Sequence, residues 1–572
     1  MKKYFPILEW LPGYSKKTAT SDLVAGITVG MMLIPQGMAY AMLADLPAIY
    51  GLYASIIPLI VYAIFGTSRQ LAVGPVAMVS LLVAAAISSI GITDPNKYIE
   101  AALLLSLMIG LIQFLLGVVR LGFLVNFLSH PVISGFTSAA ALIIGLNQLK
   151  HLFGISISKS NYIHEILIDT GKNISSLNPY ALAIGIAAIA LILLVKKWNK
   201  AIPGPLLAVI GGIVVVWSMG LDAQGVQIVK EVPEGLPKFH IPFLDWTLAQ
   251  KLLPMALTIS LIAYMESIAV AKAIQKRHRD YRVIPNQELI GLGLANIVGS
   301  FFQAFPTTGG FSRTAVNDQA GAKTGMAAII SALVIALSLL FLTPLFYYLP
   351  KTILASIIMV AVFGLIDWKE IKHLYKTDRN DLMMLLITFF TTLGLGIEKG
   401  ILTGVALSIL MIILKTTRPH YAILGQVEGA VFRNIKRFPN AKTDPELLVF
   451  RFDARIYFAN VQYLQDKIED EIFKKGSDLK RIIFDTESVN DIDSSGMHAL
   501  FDLVKSLREN GIELHFTGVK GPIRDKMAKC GFTEILGMNN FHLRIQEAID
   551  TSSNQNKTNS ERGEDVLFQK DD

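Results

Sequence analysis

Two short stretches carry residue types that an ordinary membrane helix would not contain: Leu71 to Pro75 (LAVGP) and Phe305 to Ser312 (FPTTGGFS). Proline lacks an amide donor and glycine loosens the backbone, so each stretch should run extended and then turn helical within apolar surroundings. A helix that starts inside the membrane leaves N–H groups without intrahelical partners. Two such ends facing each other would supply partial positive charge and free donors, which is an anion site in a low-dielectric setting. Ordinary proline and glycine kinks are the other reading of either stretch alone. Each, however, falls third in its half of the chain, and coincident kinks do not explain that.

Arg313 follows the second stretch directly. A guanidinium at membrane depth costs at least about 2.5 to 3.5 kcal/mol, so it should face a cavity or a partner. It either neutralises a bound anion or ties helices together through carbonyls. Ser312 beside it can donate its hydroxyl to a ligand or spend it on its own helix. Gln36 and Tyr40, four apart and so on one face of the first span, supply an amide donor and an aromatic wall, or else pack helices together. Glu266 lies in ISLIAYMESIAVAKAI. A carboxylate there must be paired or protonated, which reads as proton coupling or as a structural ion pair, with Arg313 as the natural partner.

The elements that must position these residues are membrane spans. The chain has 572 residues, 52% of them hydrophobic and 17% charged. Its mean hydropathy of +0.49 is too apolar for a soluble enzyme of this length. Apolar runs of about 20 residues, enough to cross the bilayer, recur up to about residue 418. About 14 spans are expected, near 22–43, 47–66, 72–91, 98–119, 124–149, 178–197, 202–220, 248–275, 285–305, 310–322, 325–345, 349–367, 380–396 and 398–416. No cleavable signal peptide is expected. With the N-terminal segment 1–21 in the cytoplasm, Lys196, Lys197 and Lys200, then Lys272, Lys276, Arg277, Arg279 and Arg282, then Lys369, Lys372, Lys376 and Arg379 all fall inside. The net charge of +7 is therefore topological and does not signal nucleic-acid binding. Pro131 to Lys150 overlays Pro350 to Lys369, with Gly 14 residues and Lys 19 residues after Pro in both. An offset of seven spans implies two halves of opposite topology, about 22–220 and 248–416, within a transport domain over 22–418.

These segments resemble the SulP family of sulfate permease-like anion transporters. Three motifs carry the resemblance: Ile34 to Pro58 (IPQGMAYAMLADLPAIYGLYASIIP), VGPVAMVSLL in the third span and FSRTAVNDQAGAKTG in the tenth. The resemblance implies a seven-plus-seven inverted repeat shared with nucleobase transporters, split into core and gate domains, elevator-like movement and a homodimer. By motif position its anion site would fall on Gln36, Tyr40, Pro75, Val76, Gly310, Phe311, Ser312 and Arg313. Sodium-coupled bicarbonate members carry Asp followed four residues later by Thr in the eighth span. Here the pair is Glu266 and Val270, which lacks the hydroxyl ligand and favours protons.

From about residue 445 short β-rich runs (ELLVFRFDARIYF, KRIIFDTE, IELHFTGV) alternate with amphipathic stretches (NVQYLQDKIEDEIF, GMHALFDLVKSLREN), the pattern of a small α/β domain. The stretch Phe484 to Leu500 (FDTESVNDIDSSGMHAL) resembles a STAS domain, here over 419–550 and cytoplasmic. Asp493, Ser494 and Ser495 would form the loop and N-cap of the next helix. Ser494 and Ser495 are candidate phosphorylation sites, since anti-sigma antagonists are modified at such a serine. The polar tail 551–572 is expected to be disordered. The single cysteine, Cys530, permits no intrachain disulfide.

The sequence therefore describes a secondary transporter of a small anion such as sulfate, bicarbonate or a dicarboxylate, proton-coupled, in the inner (plasma) membrane. No cofactor or metal site is expected. The expected partners are the anion, protons, the lipid bilayer, a second copy and a cytoplasmic regulator at the STAS domain. An exchanger, a sodium-coupled bicarbonate transporter, a nucleobase permease on the same fold and a membrane-anchored signalling scaffold are the competing readings. An enzyme is the least supported, since no nucleophile and base stand at a recognisable spacing.

Overall fold

The computed structural model describes residues 5–92, 94–123, 129–157, 163–198, 203–231, 233, 235–278 and 280–553. The chain divides into two compact units, Met1–Ser408 and Ile409–Asp572, with the division inside the last long helix, Ile397–Thr417.

Each expected span of the first unit has its helical counterpart. The first, Lys16–Leu43, starts at Ser15, whose side chain accepts from the Thr18 amide, and runs through Pro35. The second is broken rather than continuous, Ile49–Tyr53 and then Ile57–Phe65, because Pro58 has no amide to give and restarts the helix at its first turn. The third and tenth are extended and then helical, as their Pro/Gly content requires: β1 (Val73–Gly74) leads to Ala77–Ser88, and β2 (Thr308–Gly309) leads to Phe311–Gln319. The fourth and fifth are Pro95–Val118 and His130–Asn147; the first five residues of the expected fifth span, 124–128, lie outside the described residues. The remaining spans are Pro179–Trp198, Gly204–Met219, Trp246–Gln275, Pro285–Ser300, Met326–Phe341, Lys351–Phe363, Arg379–Leu395 and Ile397–Thr417. Two further helices, Ile163–Asn173 and Trp368–Thr377, were not expected; both are amphipathic and lack the long apolar run that marks a span.

The packing of these spans repeats when the halves are exchanged. The fifth span packs on the thirteenth and the twelfth on the sixth; the first packs on the eleventh and the eighth on the fourth. Spans one to four thus pack with eight to eleven, and spans five and six with twelve and thirteen. The two interrupted segments meet at the exchange point, where β1 and β2 pair antiparallel with Val73 opposite Gly309 and Gly74 opposite Thr308.

The second unit is a six-stranded sheet. Its strands are β3 (Tyr421–Gln426), β4 (Phe432–Asn434), β5 (Leu447–Phe452), β6 (Arg481–Asp485), β7 (Glu513–Thr517) and β8 (Phe541–His542), in the order β4-β3-β5-β6-β7-β8. β5 to β8 are parallel, and the β3–β4 hairpin joins β5 antiparallel. Phe450, Phe484 and Phe516 share one core with Leu464 and Ile468 of the helix Val461–Lys475 and with Leu500 and Val504 of Ser494–Glu509. Val449 and Ile483, alternating to the opposite face, pack with Ala548 of the last helix, Ile545–Ser553. Residues 551–553 of the expected tail belong to that helix, and 554–572 lie outside the described residues.

Near the sheet edge the His515 Nδ1 lies 3.0 Å from the His542 Nε2. Burial, with Arg481 adding to it, holds His515 below the ordinary imidazole range. A depressed histidine stabilises the fold fully above its unfolded value of about 6.5 and loses that contribution as pH falls below it. Protection factors across 513–517, taken relative to the intrinsic exchange rate at each pH, are therefore expected to fall between pH 7 and pH 5, and His515→Gln to flatten that change. An unaltered profile in the variant would show that other groups set it.

Candidate functional site

The two half-helices begin without side-chain caps. Val76 precedes Ala77–Ser88 and Gly310 precedes Phe311–Gln319, and neither N-terminus receives a side-chain acceptor. Their first amides are therefore unspent, and both dipoles present the positive end to the same region.

The extended segments are fixed from both sides. The Gly310 amide donates to the Ala72 carbonyl at 3.1 Å. Thr314 Oγ1 accepts from the Ala72 amide at 3.0 Å and donates to the Gly310 carbonyl at 2.7 Å. From the ninth span, Asn296 accepts from the Thr307 amide at 2.8 Å and donates to the Thr307 carbonyl at 3.1 Å. From the eighth, Ser267 Oγ accepts from the Gly309 amide at 2.8 Å and lies 2.6 Å from Thr308 Oγ1. These positioning residues were missed in the sequence. Asn296 and Ser267 are polar residues in apolar spans, the signal that could have found them.

Arg313 is 2% exposed. Its Nη1 donates to the Pro75 carbonyl at 2.6 Å, across the junction between the two half-helices, while Nε and Nη2 have no protein partner. The reading in which it ties helices through carbonyls applies to one nitrogen, and the other two donors remain without a protein partner. A Cβ on Gly310 would stand 3.0 Å from Nη2 and 3.3 Å from Val76 Cγ1; Gly74, at φ +152°, would place one 3.4 Å from Nη2. Pro75, Val76, Gly310 and Arg313 are therefore one cluster.

Tyr40, 8% exposed, and Glu266 both lie within electrostatic reach of Arg313. Gln36 is buried at 7% one turn before Tyr40. Phe311 is 65% exposed and Ser312 is exposed beside it, so these two side chains lie open at the helix end rather than against the guanidinium. Glu266 forms no ion pair with Arg313, and its Oε2 is buried without a partner. Of the two sequence readings of Glu266, the direct ion pair is absent among the described residues, where the guanidinium is turned to Pro75 and Ser267 holds the eighth span to β2. Among the described residues no group of three His, Cys, Asp or Glu is placed to hold a metal.

The chain as a whole has counterparts among known proteins. A family model described as the sulfate permease family matches residues 20–388, and a STAS domain model matches residues 438–548. The chain belongs to the sulfate permease family. "Probable sulfate transporter 4.2" of Arabidopsis thaliana is 41% identical over 568 residues, covering 95% of this chain and 83% of that protein. "High affinity sulfate transporter 2" of Stylosanthes hamata is 36% identical, covering 96% and 86%. The murine anion transporter Solute Carrier 26 family member A9, in an inward-facing state, superposes with TM-score 0.87 at 26% identity over 96% of this chain and 94% of its own. The transmembrane domain of the cyanobacterial bicarbonate transporter BicA shares the fold at TM-score 0.60 and 22% identity, over 69% of this chain. As a sulfate permease family member, the chain is a multi-pass membrane transporter with a seven-plus-seven inverted repeat and a STAS domain, and not an enzyme.

In the STAS domain the cap of the helix Ser494–Glu509 is Asp493 alone, which accepts from the Gly496 amide at 2.8 Å and from the Phe458 amide at 3.0 Å. Ser494 and Ser495 are exposed in the first turn and do not cap. The cap is an aspartate because its carboxylate can serve both amides at once.

Gly310→Ala tests the cluster directly. The added methyl would press on the guanidinium and Val76. Uptake is expected to fall at least about tenfold with the protein still folded, since a displacement of a few tenths of an ångström misaligns donors whose strength depends on geometry. Wild-type uptake would show that the guanidinium has room to move.

Proposed function

We propose that this chain is a proton-coupled secondary transporter of a small oxyanion, sulfate foremost, with the anion held by Arg313, the amides that open the half-helices at Ala77 and Phe311, and the wall of Gln36, Tyr40, Pro75, Val76, Gly310, Phe311 and Ser312. The observation that carries this reading is the buried Arg313 with Nε and Nη2 unspent beside two uncapped helix ends. A buried guanidinium with free donors is costly when empty and is compensated by an anion. The names of the relatives, sulfate transporters in two plants, point to the same substrate.

The division of the packing supports elevator-type movement, with spans one to four and eight to eleven carrying the site past the remainder. Glu266 carries the coupled proton. The protein works as a homodimer in the inner (plasma) membrane with both termini cytoplasmic. The STAS domain, over 419–550, receives regulatory input, for which the exposed Ser494 and Ser495 are open to phosphorylation. The test is a substrate panel in proteoliposomes: sulfate, bicarbonate, fumarate, succinate and chloride, each with and without a pH gradient. Saturable sulfate uptake driven by an inward proton gradient is expected. Uptake confined to chloride, or of uracil instead of any anion, would overturn the reading.

A further inference from the structure

A second polar site lies away from Arg313. A cavity of about 260 Å³ opens between the C-terminal ends of the first, third and fifth spans, lined among others by Asp45, Ser88, Asn147, Gln148, Lys150 and His151. Its walls come from both packing groups, with Asp45 and Ser88 following the first and third spans and the other four at the end of the fifth. With the N-terminus cytoplasmic, these are outer ends.

The cavity is set up for negative charge. Lys150 has no carboxylate partner among the described residues, and the charges that act on His151 are those of Lys150 and Lys351. The Gln148 residue is 7% exposed, and its side chain makes no hydrogen bond among the described residues. Asn147 already donates to the Ile143 carbonyl at 3.0 Å. The one carboxylate in the lining, Asp45, lies 3.4 Å from the Tyr98 hydroxyl. An amide and a lysine without protein partners, both facing the cavity, leave their donors available to a ligand. The volume accepts a tetrahedral or planar oxyanion with part of its water shell, taking about 30 Å³ per water.

We propose that this cavity is an outer antechamber, a second anion site in which Lys150, His151 and Gln148 hold a small oxyanion before it passes to the half-helix ends. It rests on the reading of the chain as an anion transporter. Because its walls belong to both packing groups, the site exists only while they stand in the present relation, so it would take up anion from one side of the membrane. A capture site of this kind sets the apparent affinity for external anion and the encounter rate more than the turnover.

The test is radiolabelled sulfate transport by the full chain, comparing right-side-out with everted vesicles at matched amounts of folded protein. For Lys150→Gln, half-saturating external sulfate is expected to rise roughly 3- to 10-fold, the change one partly screened charge produces. Half-saturation from the cytoplasmic side should stay where it was. Lys150→Arg should restore the external value, and His151→Gln should shift it in the same direction, which serves if Lys150→Gln folds poorly. An unchanged external value, or equal shifts from both sides, would overturn the antechamber while leaving the transport reading intact. Wild-type vesicles without saturable sulfate uptake would overturn both.

Discussion

Arg313→Ala is expected to abolish saturable anion uptake while the protein still folds and elutes as the wild type does. The loss follows from what the guanidinium does. It is 2% exposed, spends one nitrogen on Pro75 and leaves Nε and Nη2 without a protein partner. Two charge-assisted hydrogen bonds at about 1.5 to 3 kcal/mol each amount to a loss of at least about 100-fold. Arg313→Lys separates charge from geometry. A lysine keeps the positive charge but is a point donor on a flexible stem, so it cannot bond Pro75 and bracket an anion in one plane. It should therefore restore little of the uptake. The Pro75 bond is a single contact in a junction also held by Thr314, Asn296 and Ser267, which is why folding should survive. Direct sulfate binding by calorimetry on purified protein checks the same point without transport. Wild-type binding in Arg313→Ala would show that the half-helix amides suffice.

Most of this site was legible in the sequence because its signals are local. Pro75 beside Gly74, then Pro306 followed by Gly309 and Gly310, disfavour continuous helix by their clustering. The extended-then-helical course of β1 and β2 follows from residue type alone. Arg313 announced itself by its cost in an apolar run. Those signals could not say where the guanidinium points. The sequence offered Glu266 as one candidate partner, opposite charges at membrane depth, whereas the acceptor it bonds is a main-chain carbonyl that any residue at position 75 would carry. Contacts to backbone leave no trace in side-chain patterns.

The same limit explains the missed supports. Asn296 holds Thr307 through the amide and carbonyl of a segment eleven residues away, and neither group is visible in residue types. The break in the second span was foreseeable from Pro58 but was hidden by an apolar run that reads as one helix. In the STAS domain the strand pattern fixed β5, β6 and β7, since parallel strands buried on both faces give near-continuous apolar runs. The β3–β4 hairpin, shorter and half exposed, gave no such run.

Glu266→Gln is expected to remove the response of uptake to a pH gradient while leaving anion binding in place. The carboxylate lies in an apolar helix with Oε2 unpartnered and without an ion pair to Arg313, so among the described residues no direct contact neutralises it. A dianion against one guanidinium leaves one negative charge at the site; an ionised Glu266 within electrostatic reach would leave two. Moving that excess through a low-dielectric path is disfavoured, and a proton on Glu266 removes half of it. Proton and dianion are therefore expected to bind with positive cooperativity in the wild type, each raising the affinity for the other by reciprocity. Glutamine mimics the protonated form permanently. Sulfate binding to the variant should be at least as tight as wild type at neutral pH and flat across pH, whereas wild-type binding should tighten as the medium is acidified. An imposed inward proton gradient should accelerate uptake by the wild type alone. A sodium gradient should drive neither, because Val270, four residues on, offers no oxygen to a cation. If Glu266→Gln kept a wild-type response to the proton gradient, the coupled proton would have to reside on another group.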